Sequence, residues 1–210
     1  MGRPEVDERG NTRLRAMRVL GNSLCDTKLY ADALSVYEAE FSTLPRVGGS
    51  EEAMLGVQGN LATLYHMLGD HVRALQLDRD AYFGYVKIHG EEEKDSLVAA
   101  FNYTVALHNL KQFEEAKLLL RKTMPVARRA LGNSNEITFA MKKIYAEALY
   151  NDPAATLDDI REAVTMLEDM ERIARRVFGG AHPTAAGIGI TLREARAALR
   201  ARETPSSGGA

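Results

Sequence analysis

The sequence predicts an all-α helical-repeat protein, and two recurrences within it carry that prediction. A glycine preceded by a bulky residue returns at Val47-Gly48, His89-Gly90, Leu131-Gly132 and Phe178-Gly179, at steps of 42, 42 and 47 residues. In the same frame Ala74 has counterparts at Ala33, Ala116 and Ala163, and Asn60 has one at Asn102. The stretch 60–81 shows what one unit contains. Leu61, Leu64, Tyr65 and Leu68 share a helical face, Gly69-Asp70 interrupts, and Ala74, Leu75 and Ala81 share a second face. A helix pair this short cannot bury its apolar faces alone and must stack on others. The alanine register marks where the second helix of each pair lies closest to the first.

The elements follow in order. Residues 1–10 lack periodicity and read as a flexible lead-in. A helix is predicted over 11–28, with Leu14, Met17, Leu20, Leu24 and Cys25 as its apolar stripe. A second spans 30–44, carries Ala33, Leu34, Tyr37 and Phe41, and is stopped by Pro45. Ser50 is placed to cap the next helix, where Glu51 and Glu52 suit the positive end of its dipole. The pair 51–68 and 71–88 follows, then the acidic loop 91–93, then the pair 94–110 and 113–131. Pro125 inside the last of these removes a backbone bond and is expected to kink or shorten it. After Gly132, residues 133–135 offer caps for a helix ending near Tyr150. The turn from Asn151 to Ala155 absorbs the five extra residues of the 47-residue step. Thr156 with Asp159 forms a capping-box pattern ahead of a helix to Phe178. His182-Pro183 opens a final helix to about residue 201, whose Arg193, Glu194, Arg196 and Arg200 suit a polar outer face. The repeat domain is thus expected over 11–202, and 203–210 reads as a disordered tail.

Composition narrows the function classes. The net charge of −2 gives no electrostatic case for nucleic acid or an anionic membrane as partner. One cysteine, Cys25, allows no disulfide within the chain and fits a reducing compartment. No apolar run approaches the ~20 residues that span a bilayer, and the polar, acidic start is no secretory signal. The expected location is cytoplasmic.

With these residues in place the chain resembles the tetratricopeptide repeat family, in the 42-residue form of kinesin light chains. The motifs are NLATLYHMLGDHVRAL (60–75), NYTVALHNLKQFEEAKLLL (102–120), ARRALGNSNEIT (127–138) and ARRVFGGAHPTAA (174–186). Asp78 and Thr123 depart from the pattern, standing where a large and a small apolar residue are usual; Pro125 and the 151–155 insertion are also irregular. The resemblance implies an α-solenoid, a right-handed superhelix of about four helix pairs closed by a C-terminal capping helix. It also implies that the first helix of each pair lines a concave groove.

Taking Ala62, Thr104 and Ala146 as equivalent, the register offers four sets of groove residues. They are Arg15, Arg18, Asn22 and Asp26; Asn60, Thr63, His66 and Met67; Phe101, Asn102, His108 and Asn109; and Lys143, Glu147, Tyr150 and Asn151. This lining is polar and amide-rich, which suits a peptide backbone better than a small-molecule substrate. Asn60 and Asn102 would form an amide ladder that grips a backbone whatever its side chains; alternatively each amide bonds a neighbouring helix and sets repeat spacing. Arg18, Asn22 and Asn60 resemble half of a carboxylate clamp known in the family, but Val98 and Asn102 stand where its other basic residues would be. His66 and His108 share a register and could begin a metal site, although zinc usually takes three or four protein ligands and no HExxH or CxxC motif is present. Gly56, Gly59 and Gly187 face the groove by register, allowing close approach of a ligand backbone or merely loosening the packing.

The expected function is a non-enzymatic protein–protein interaction module or scaffold, with no cofactor, no catalytic residue and a protein or peptide as partner. A regulatory or self-associating module is the alternative within binding proteins. A metal-dependent enzyme using the groove, with His66 and His108 as ligands, is the competing class.

Overall fold

The computed structural model describes residues 8–204; the parts of the expected lead-in and tail over 1–7 and 205–210 lie outside the described residues. Among the described residues there are nine α-helices, and successive helices pack as pairs. They are α1 (Glu8–Asp26), α2 (Tyr30–Thr43), α3 (Glu51–Met67), α4 (His71–His89), α5 (Lys94–Asn109), α6 (Phe113–Leu131), α7 (Glu136–Asn151), α8 (Leu157–Phe178) and α9 (Pro183–Glu203). The chain divides into two compact units whose boundary falls inside α5, between Ala106 and Leu107. In the first, α1 packs on α2, α2 on α3 and α3 on α4; in the second, α6 packs on α7, α7 on α8 and α9, and α8 on α9. No described helix is long and apolar enough to cross a membrane.

Both recurrences have a physical cause. Ala33, Ala74, Ala116 and Ala163 are all fully buried, as contact between paired helices requires. Gly48, Gly90, Gly132 and Gly179 all have positive φ. Three of them share an extended positive-φ conformation, with φ,ψ of 88°,171° at Gly90, 91°,163° at Gly132 and 89°,154° at Gly179. Only glycine adopts that region without strain. Gly48 differs: at 71°,29° it is a left-handed cap.

A third recurrence joins the helices within pairs. Lys28, Gly69 and Lys111 all take positive φ, and each sits in the same two-bond helix ending. Lys28 N–H donates to Cys25 and Leu29 N–H to Leu24; Gly69 donates to His66 and Asp70 to Tyr65; Lys111 donates to His108 and Gln112 to Leu107. These are Schellman endings.

Several caps form as the sequence predicts. Ser50 accepts from Ala53 N–H, Asn135 from Ile137 N–H, and Thr156 with Asp159 makes a reciprocal capping box; the structure adds His182, which accepts from Thr184 N–H. Other expectations are corrected. The first helix starts at Glu8, three residues early, and the last runs on to Glu203. Helix α2 does stop ahead of Pro45, at Thr43, and the fixed φ and missing N–H of Pro45 suit the start of the 3-10 turn that follows, Leu44–Val47. Pro125 does not shorten α6, which continues to Leu131. Leu20 and Leu68 are exposed. In α1 the inward position belongs to Gly21, where an added Cβ would lie 2.8 Å from the Tyr37 ring.

The 151–155 insertion is anchored. Asp152 accepts from Ala154 N–H at 2.8 Å and from buried Lys117 at 2.9 Å. Arg202 of α9 donates to the carbonyls of Ala155 and Pro153.

Candidate functional site

In the first unit, Asn60 and Thr63 of α3 and Asn102 of α5 line one cavity of about 200 Å³. Asp78, Ala81 and Tyr85 of α4 and Asp95 of α5 complete much of its wall. Gly56 and Gly59 give it floor space: a Cβ on Gly59 would meet nothing within 4 Å, and one on Gly56 only the Tyr85 hydroxyl at 3.7 Å. The Thr63 hydroxyl donates to the Gly59 carbonyl. Among the described residues, neither the Asn60 nor the Asn102 amide has a hydrogen-bond partner. The bonds to a neighbouring helix that a pure spacer would make are therefore not among those formed.

His66 turns to α4 instead. Its Nε2 lies 3.0 Å from Asp78 Oδ2 and its Nδ1 lies 3.4 Å from His71 Nδ1. Asp78 thereby occupies an apolar register position as a buried, bonded carboxylate. Burial raises its pKa, and the hydrogen bond and charge of His66 work against that rise.

Arg15, Arg18 and Asn22 are exposed on α1. Arg15 and Arg18 border a separate cavity of about 370 Å³ beside Leu44 and Gly48–Ser50. The Arg18 guanidinium grips Glu40 Oε1 through two nitrogens, at 2.7 and 3.1 Å, and Asn22 accepts from the Tyr37 hydroxyl at 2.5 Å. Both residues are tied to α2, so the half-clamp does not present a free guanidinium. Glu40 itself is fully buried, and its Oε2 has no partner among the described residues.

In the second unit, Lys143, Glu147 and Tyr150 of α7 face α9. Lys143 pairs with Glu147 at 2.6 Å, Thr191 donates to Glu147 at 3.4 Å, and the Tyr150 hydroxyl donates to Glu194 at 3.1 Å. Burial, then the charges of Glu147 and Glu194, push the Tyr150 pKa upward. Lys143 also borders a cavity of about 430 Å³ lined by Phe139, Phe178, Ile188 and Gly187. His108 packs edge-on against Phe113 with ring centres 5.4 Å apart, and its Nε2 is buried without a partner among the described residues. Burial lowers its pKa; Glu147 opposes that and Lys143 adds to it. Asn109, the last residue of α5, is exposed. Among the described residues, no group of three or more His, Cys, Asp or Glu side chains is gathered as a metal site would need.

The cavity residues missed by the sequence reading are Asp78, Tyr85 and Asp95. Asp78 did carry a signal, since a carboxylate in an apolar register needs a partner or a purpose. Tyr85 and Asp95 carried none, because their placement depends on how three helices come together.

Residues 104–136 match the tetratricopeptide repeat family. No curated protein matches the chain's sequence. Two crystal structures of nearly identical TPR-like repeats, from a Podosopora anserina protein described as kinesin light chain, superpose with TM-scores of 0.76 and 0.74 at 21% identity. They cover 91% of this chain and 88% and 89% of theirs. BtubC (BKLC) from P. vanneervenii follows with a TM-score of 0.67 at 15% identity, covering 96% of this chain and 87% of that one. The Rap conjugation gene regulator of plasmid pLS20, in complex with its Phr peptide, gives 0.55 at 14% identity over 87% of this chain and 52% of the regulator. The chain thus has a tetratricopeptide-repeat fold, structurally similar to kinesin light chain-like repeats.

Proposed function

We propose that the chain is a non-enzymatic interaction module that holds an extended segment of a protein partner along its first helices, with Asn60 and Asn102 gripping the partner's backbone. The observation that carries this reading is the pair of amides, 42 residues apart in sequence, that reach one polar cavity without a partner among the described residues. A carboxamide donates and accepts, which matches the alternating groups of a peptide backbone. Gly56 and Gly59 leave room for that backbone to approach. The Rap regulator, whose fold is similar, forms a complex with a peptide, and this supports the reading. Thr63 belongs to the same contact surface. Arg18, Asn22 and His66 are engaged by their own neighbours within the first unit, and Lys143, Glu147 and Tyr150 by theirs within the second.

The test is a displayed library of extended peptides selected on the full chain, followed by affinity measurement for the retained sequences. Asn60→Ala with Asn102→Ala removes up to four hydrogen bonds worth ~0.5–1.5 kcal/mol each. Affinity should fall roughly ten- to a thousandfold or more, while the melting temperature holds or rises because alanine is the better helix former. Undiminished affinity beside a lowered melting temperature would make the two asparagines spacers. Sedimentation of the free chain separates peptide capture from self-association.

A further inference from the structure

We propose that the cavity formed by α3, α4 and α5 is a recognition pocket for one cationic side chain, a lysine or arginine of the bound segment. This deepens the peptide-binding reading above and rests on it for the ligand's source. The cavity's size sets the first limit. About 200 Å³ is several times the ~30 Å³ that one water occupies, and it falls below the ~300–1,000 Å³ of a site for a drug-sized ligand. One long side chain fits; a cofactor or a folded element does not.

The charge of the lining selects among side chains. Two carboxylates, Asp78 and Asp95, contribute to the wall, and no lysine, arginine or histidine does. The other polar groups are the amides of Asn60 and Asn102 and the hydroxyls of Thr63 and Tyr85, whose oxygens all accept hydrogen bonds. An acceptor-rich pocket with two anions offers an anionic guest repulsion and an apolar guest unpaired acceptors. It offers an ammonium or guanidinium several charge-assisted bonds.

Burial adds strength. The Asp78 side chain is only 3% exposed and is fixed through Oδ2 by His66, so a cation meeting it is screened little by solvent. The Tyr85 hydroxyl reports the same field: burial first, then the negative charges of Asp95 and Glu52, raise its pKa. The apolar stem of a lysine or arginine would lie against Leu55, Ala81 and Ala99, which also line the cavity.

The pocket can be probed without any peptide. In a two-dimensional NMR titration of the full chain, N-acetyl-lysine methylamide and N-acetyl-arginine methylamide should shift the side-chain amide resonances of Asn60 and Asn102 saturably. The uncharged isostere N-acetyl-norleucine methylamide, which offers the same backbone amides and no cation, should bind at least about tenfold more weakly. Asp95→Asn, at an exposed position, should weaken the cationic probes about tenfold, the effect of one charge-assisted bond. Asp78→Asn should abolish saturable shifts. Equal responses to all three probes, no response to any, or wild-type affinity in both variants would overturn the pocket. The peptide library separates this outcome from the wider reading. Retained peptides lacking lysine and arginine would keep the backbone-gripping function and reject the pocket. Saturable cationic probes with no retained peptide would keep the pocket and reject the extended ligand.

Discussion

At the scale of single residues the informative group is Asp78, a carboxylate in a helix position built for an apolar side chain. His66 supplies its hydrogen bond, yet burial wins and holds the carboxyl above its ordinary value of 3.8. The sign follows from linkage. A folded pKa above the unfolded one means that the native state binds the proton more tightly. Its contribution to stability is therefore present at low pH and is lost as pH rises from 3.8 through the raised folded value. Asp78→Asn keeps an acceptor for His66 and removes the desolvated charge. It should melt roughly 2–4 °C above wild type near pH 7, and the gap should close near pH 3.5. Melts at both pH values check this; a variant less stable than wild type near pH 7 would mean that the ion pair with His66 outweighs burial. This residue also shows what a sequence leaves unread. Helical spacing placed Asn60, Thr63 and Asn102 on corresponding faces, because register is local. It also placed His66 with them, and there the reading missed: where His66 turns depends on Asp78 and His71, across a helix–helix contact that no spacing encodes.

At the scale of elements the turns decide where helices stop. The recurring glycines were legible because a residue type that only one backbone conformation demands leaves a mark in the sequence. Lys28 and Lys111 were not, since lysine at positive φ looks like any exposed lysine; their equivalence to Gly69 emerges only from the shared Schellman bonds. Pro45 ends its α-helix as expected, whereas Pro125 does not shorten α6. Proline bars one hydrogen bond, and α6 tolerates that loss. The glycines themselves separate into two kinds by a simple substitution. A Cβ at Gly132 or Gly48 meets nothing within 4 Å, so any cost is backbone strain alone. Gly132→Ala, forced into the extended positive-φ region, should lose about 1–3 kcal/mol. Gly48→Asn, in the left-handed region that asparagine tolerates, should lose under about 1 kcal/mol. Urea unfolding of the two variants ranks them; equal losses would contradict the distinction.

At the scale of the whole molecule, stability in a repeat protein is shared between neighbours. Ala116 is fully buried in α6, which packs on α7. Ala116→Glu places an unpaired charge there and should cost on the order of 3–5 kcal/mol, whereas Glu115→Ala on the exposed face of the same helix should be nearly neutral. Amide exchange should show the loss spreading from α6 into α7; a loss confined to α6 would mean that the pairs are energetically independent.

Gly90 and Gly132 carry nearly the same backbone angles, 88°,171° and 91°,163°, so the segment 90–131 begins and ends on matching joints. A duplicate of it inserted after Leu131 would meet the chain on geometry already present at both ends. Gene duplication could therefore lengthen this protein in whole 42-residue increments without inventing a new junction.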